Sequence, residues 1–145
     1  MNEPEKRVAI QLKMKIQDAS DKEVNHIKST GVFFRKGKLD VLRFEEKIDD
    51  VEISTLVTIQ KGKVTIKRSG GISMHQQFRL GQITENVYKH PHGNLHMETF
   101  TQLMMYQPLG HGIPARLNLD YTVKLNGQDE RKHTLELMMI EEDPE

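Results

Sequence analysis

The chain has 145 residues, no cysteine, and 21 basic side chains balanced by 21 acidic ones. That length suits one domain, which buries roughly 68–70% of its unfolded surface and holds together without staples. The missing cysteines exclude disulfides and thiolate metal sites, the charge balance argues against a dedicated nucleic-acid binder without forbidding a local basic patch, and no run approaches the ~18 apolar residues of a membrane span.

The opening Met1-Asn2-Glu3-Pro4-Glu5-Lys6-Arg7 has no apolar stretch after its charges. It does not read as a secretory signal, and cytoplasm is the expected compartment. From residue 7 onward the dominant signal is alternation with a period of two. Val8, Ile10, Leu12, Met14 and Ile16 alternate with more polar neighbours, which predicts a half-buried strand over 7–18. The second segment, 22–35, carries a competing signal: Ser20-Asp21-Lys22-Glu23 fits a helix capping box. Val24, Val32 and Phe34 favour strand, and strand is the reading adopted. Further strands are predicted over 39–47, 51–60, 64–68, 72–80, 84–90, 95–107, 113–125 and 130–141, ending in an acidic tail at 141–145.

The connections are short and rich in turn formers: Lys36-Gly37-Lys38, Lys61-Gly62-Lys63, Ser69-Gly70-Gly71, Pro91-His92-Gly93-Asn94 and Asn126-Gly127. Loops of this length join antiparallel neighbours and leave no room for parallel crossovers. Ten strands in one chain would leave long edges unless the sheet closes. The predicted architecture is a single all-β domain over 1–145, an antiparallel up-and-down meander closed into a barrel, with a β-sandwich as the alternative.

The residues Arg68-x-Gly70, Met74, Phe78-x-x-Gly81, Tyr88 and Thr99, with Leu42-x-Phe44-x-Glu46 upstream, resemble the YwiB-like family of small bacterial proteins over about residues 7–140. The resemblance implies a calycin-like barrel, related in shape to lipocalins and fatty-acid-binding proteins. It implies no activity, substrate or cofactor. The chain departs from the family pattern after Tyr88, where Lys89-His90-Pro91-His92-Gly93 replaces the more usual Thr and Tyr-Gly.

Strand parity singles out Arg68, which shares a face with Val64 and Ile66 and should point inward. A buried guanidinium needs a partner. Glu46 shares parity with Leu42 and Phe44, and in a meander it falls near the same barrel end, as do Tyr88 and Thr99. These four residues form the expected ligand site, with Arg68 anchoring a small anionic or partly apolar molecule. The alternative is a structural ion pair in a filled barrel that acts as a scaffold or regulator through protein contacts.

Turns alternate between barrel ends, which gathers Lys36, Lys38, Lys61, Lys63 and His111 at one end as a secondary basic patch, opposed by Asp18, Asp21, Asp49, Asp50 and Asp129 at the other. His90, His92 and His96 are weak metal ligands without a third or fourth partner at fixed spacing, so no metal or other cofactor is expected. Methionine is frequent, and the pairs Met104-Met105 and Met138-Met139 put an apolar side chain on both strand faces, which suggests a homodimer. No nucleophile motif or phosphate loop is present, so the expectation leans away from an enzyme and toward a binding module.

Overall fold

The computed structural model describes residues 4–48 and 50–142 of the chain. Ten strands follow in order: β1 Lys6–Gln17, β2 Lys22–Lys36, β3 Leu39–Ile48, β4 Val51–Gln60, β5 Lys63–Gly70, β6 Met74–Arg79, β7 Ile83–His90, β8 Gly93–Gln107, β9 Ala115–Leu125 and β10 Arg131–Glu141. The period-two pattern is the cause. In β9, Ala115, Leu117, Leu119, Tyr121 and Val123 are buried, while Arg116, Asn118, Asp120, Thr122 and Lys124 between them are not. Among the described residues no helix is long and apolar enough to cross a membrane.

The capping-box alternative at Ser20–Glu23 is not realised. The Asp18 carboxylate accepts from the backbone N–H groups of Ser20 at 2.9 Å and Asp21 at 2.8 Å, which closes a tight turn. These donors hold its carboxyl below the usual aspartate value. β2 then pairs along β1 from Lys22 opposite Gln17 to Phe33 opposite Lys6. Cross-strand pairing to an amphipathic neighbour outweighs a local helix signal of one turn.

All ten strands form one sheet in the order β6-β5-β4-β3-β2-β1-β10-β9-β8-β7. The first and last strands join by a full antiparallel ladder, from Val8 opposite Glu141 to Gln17 opposite Lys132. The two leaves of a sandwich are therefore ruled out, and the meander is a nearly closed barrel. One gap falls at an unexpected place, between the consecutive strands β6 and β7, and β2 also parts from β3 over Lys22 to Thr30. A bridge joins Ser73 to Lys89 at one end of the β6–β7 seam, and the Thr84 hydroxyl donates to the Gln77 carbonyl. At the other end Leu80 bridges to Thr101 of β8, and the Gly81 N–H donates to the Thr101 carbonyl at 2.8 Å. The β6–β7 turn is thus drawn onto β8, beside the register shift between Thr101 and Leu103. A bulge of this kind redirects a strand and ends regular pairing.

The interior divides into two halves. Phe33, Leu42, Phe78 and Leu117 are essentially inaccessible and pack the half nearest the turns that follow the even-numbered strands. Leu109, from the β8–β9 connection, closes that end. Arg35 fixes it by donating from Nη2 to the Leu109 carbonyl at 2.6 Å and from Nε to Asp40 Oδ1 at 3.1 Å. Tyr106 completes the closure by donating its hydroxyl to Asp40 Oδ2 at 2.6 Å. Burial, with the Asp40 hydrogen bond and charge, pushes the Tyr106 phenol well above its usual range.

Candidate functional site: a half-hollow barrel

The other half holds a cavity of about 240 Å³. Its wall is mostly apolar, built from inward positions such as Met14, Phe44, Ile66, Met74, Met97 and Leu125. Seven polar side chains interrupt it: Thr55, Arg68, Gln76, Tyr88, Tyr121, Arg131 and His133. Three of these carry a buried polar atom without a hydrogen-bond partner, namely Thr55 Oγ1, Arg68 Nε and His133 Nδ1.

Arg68 and Thr55 are direct cross-strand partners on β5 and β4. His133 lies opposite Tyr121 on β10 and β9. In the ring order β5 and β10 are five strands apart, on facing walls of the barrel. A guanidinium and a hydroxyl therefore look across the cavity at an imidazole and a phenol. Tyr121 is fixed by Phe78, edge-on at 4.7 Å between ring centroids, and by His133, stacked at 5.0 Å. Burial raises the Tyr121 phenol pKa, and the Arg68 charge partly offsets the rise. Burial, helped by the Arg131 charge, brings the His133 imidazole down to about 4, so it is neutral near pH 7. Among the described residues no carboxylate lies within ion-pair distance of Arg68.

The four predicted site residues divide. Arg68 and Tyr88 line the cavity. Thr99 is fully buried just behind the wall, where its hydroxyl accepts from Gln76 Nε2 at 2.8 Å, so it positions a lining residue across the barrel seam. Glu46 is buried but does not pair with Arg68, and both its carboxylate oxygens are without partners. The register explains this correction. Arg68 is level with Thr55 and Phe44, whereas Glu46 is level with Ile53 and Gly70. The two residues are thus one inward pair out of step and two strands apart, roughly 9–10 Å across the sheet.

The secondary basic patch sits at the opposite end from the cavity. Lys36, Lys38, Lys61 and His111 are exposed and Lys63 is half-buried, on turns and strand ends around the end closed by Leu109. They flank no entrance to the cavity. At that same end, Glu141 and Glu142 approach Lys6 and Arg7 at 3.8 and 3.9 Å, rather than the turn lysines. Asp49 and residues 143–145 lie outside the described residues, as does the side chain of His90. His92 is exposed at the β7–β8 turn, and His96 Nε2 is 3.8 Å from Glu85 Oε2. No group of three or more metal-ligating side chains gathers among the described residues. Of the methionines, Met97 lines the cavity, Met139 is in the core, Met104 packs against it, Met138 is half-buried and Met105 is exposed.

Thr55, Gln76, Tyr121, Arg131 and His133 were not singled out from the sequence. Their signal was present. Thr55 interrupts the inward series Ile53, Val57, Ile59, and His133 precedes Leu135, Leu137 and Met139 at the same parity. A polar side chain inside an inward apolar series is the pattern that marks this cavity wall.

Residues 10–137 match the family model described as a domain of unknown function, DUF1934. The chain is 27% identical over 128 residues to an uncharacterised β-barrel protein, YwiB, of Bacillus subtilis (strain 168), covering 88% of this chain and 89% of that protein. The crystal structure of the ywiB protein from Bacillus subtilis superposes with a TM-score of 0.86 at 24% identity, over 96% of this chain and 94% of that one. That likeness bears on the fold.

Proposed function

The chain belongs to the DUF1934 family of domains of unknown function, and from its cavity we propose that it is a binding module for a small amphipathic anion. The observation that carries this reading is that three residues lining a mostly apolar cavity, Thr55, Arg68 and His133, each carry a buried polar atom without a partner. Each such atom left unsatisfied costs about 1–3 kcal/mol, which a ligand with matching acceptors and donors would relieve. Arg68 is the anchor, because a guanidinium binds a carboxylate or phosphate through paired donors. Thr55 beside it donates or accepts a further hydrogen bond. The neutral imidazole of His133, on the facing wall, adds no second charge. Met14, Met74 and Met97 supply a soft surface for an apolar tail.

Size limits the ligand. The cavity of 240 Å³ is smaller than the roughly 300–1,000 Å³ of drug-sized sites. At about 30 Å³ per water it holds roughly eight waters, and so a ligand of about that many non-hydrogen atoms. A short-chain carboxylate fits this description and a long-chain fatty acid does not.

Thermal shifts with hexanoate, octanoate, hexadecanoate and hexanol test the proposal. Hexanoate and octanoate should raise the melting temperature, with about 2.7 kcal/mol of stabilisation when a ligand is at ~100-fold its dissociation constant. Arg68→Met should abolish that shift while keeping the fold. Equal shifts with hexanol and hexanoate would remove the anionic requirement. No shift with any of the four would favour the second reading, a scaffold with no ligand, to which the packed half of the barrel lends some support.

A further inference from the structure

Net charge is zero over the whole chain, but the charges are not evenly spread. The outward series of β1 is Arg7, Ala9, Gln11, Lys13, Lys15 and Gln17, and that of β2 begins Lys22, Val24, His26, Lys28, Thr30. Neither contains an acidic side chain. Glu23 belongs to the other face, opposite Ile16. Lys13 stands directly opposite His26, and Lys15 and Lys22 are diagonal neighbours through the Lys15–Val24 and Gln17–Lys22 pairs. The Lys15 and Lys13 ammonium groups hold the Lys22 amine below the usual lysine value. On the adjoining β10 the outward series Lys132, Thr134, Glu136, Met138, Ile140 has one acid, and Glu136 makes no ion pair with Lys13, its opposite neighbour. Among the described residues Lys13, Lys15, Lys22 and Lys28 make no ion pair at all. Like charges set side by side across strands are destabilising, and Glu136, opposite Lys13, is the one acid among these outward positions of β1, β2 and β10.

We propose that this outer face of β1 and β2 is a docking surface for the phosphodiester backbone of a nucleic-acid duplex, bound without regard to base sequence. Alternate residues on a strand are roughly 6.6–6.8 Å apart, so the cations form a two-dimensional array rather than a single point charge. A shallow outer trough of about 320 Å³ continues the array toward β9, where Lys13, His26, Lys28 and Arg116 contribute to its walls and outnumber the single acid there, Glu136. Gln11 and Asn118, also in that trough, add neutral hydrogen-bond donors suited to phosphate oxygens. Arg7, Ala9, Gln11, Lys13, Lys15 and Gln17 include no aromatic ring, nor do the β2 partners from Lys22 to Thr30 beyond His26. Base stacking on a single strand is therefore not provided. An anionic membrane would call for bulky apolar anchors among the cations, and Val24 is the one exposed large apolar residue on these two strands.

The full chain, titrated against a fluorescein-labelled DNA duplex of random sequence by fluorescence anisotropy, tests this. Binding should weaken with salt, with a slope of log K against log salt of about −3.6 for four phosphates neutralised. The triple variant K15E/K22E/K28E should lose at least about tenfold in affinity at low salt, whereas K36E/K38E/K61E, an equal change of charge at the closed barrel end, should bind as the wild type does. Should the first triple fail to fold, the single variants K22Q and K28Q should each reduce the slope by about one. No binding by the wild type at 50 mM salt, equal losses in the two triples, or binding to phosphatidylglycerol vesicles with none to the duplex would each overturn the proposal.

Discussion

Arg68 and His133 face each other across the cavity, and each is costly where it stands. Arg68 has a buried Nε without a partner, and His133 has a buried Nδ1 in the same condition. The histidine makes a separate prediction that needs no ligand. Its folded pKa is about 4, below the usual histidine value of 6.5, because burial opposes the charged ring. Between those values the unfolded chain binds a proton that the folded chain refuses. The neutral side chain therefore suits the fold above pH 6.5, and stability falls as pH drops toward 4, by up to roughly 3 kcal/mol at ~1.4 kcal/mol per pKa unit. Urea unfolding at pH 7 and pH 4.5 should register this loss in the wild type, and His133→Phe should flatten that part of the profile. An unchanged profile in the variant would show that other groups drive the acid sensitivity.

At the level of elements, the strands are unequally tied. β1 is paired along its length on both sides, to β2 and β10. β6 and β7 have a full ladder on one side each, to β5 and β8, and scattered contacts across the seam between them. β2 is similarly divided: Gly31 to Lys36 pair with β3, whereas Lys22 to Thr30 pair only with β1. Gly31 stands where the strands part. A Cβ there would meet the Arg43 carbonyl oxygen at 2.5 Å and Ile10 Cδ1 at 2.8 Å, so the close approach requires glycine. Local opening follows the weakest ladders. Amide hydrogen exchange should therefore be faster across β6 and β7, and in Lys22 to Thr30 of β2, than in β1 and β10, with these two openings as the routes into the cavity. Uniform protection around the ring would argue against those routes.

The whole molecule is a barrel packed at one end and hollow at the other. The packed end depends on Leu109, which the Arg35–Asp40–Tyr106 network holds over Phe33 and its neighbours. Leu109→Ala should cost about 2–5 kcal/mol by leaving a void there. Because the two halves are separate, the same variant should retain any hexanoate binding at the Arg68 end. Loss of binding in a folded Leu109→Ala protein would mean that the halves are coupled. Calorimetry on the variant, with and without hexanoate, measures both quantities.

Much of this was legible in the chain itself, for a physical reason. Alternation of polar and apolar residues is a local property, and it specified ten strands, their faces and the inward aim of Arg68. Glycine and asparagine marked the turns, since Asn126 and Gly127 both adopt the positive φ that tight hairpins need. Side-chain parity could place Arg68 and Glu46 on the same face, but it could not tell that they stand one inward pair out of step. That depends on register, which is set jointly by turns and neighbouring strands. Tertiary structure alone decided that the seam falls between consecutive strands, that one half of the interior stays open, and that His133 stands on the wall facing Arg68 and Thr55. Those outcomes belong to ring closure, where residues distant in sequence become neighbours only when β1 reaches β10.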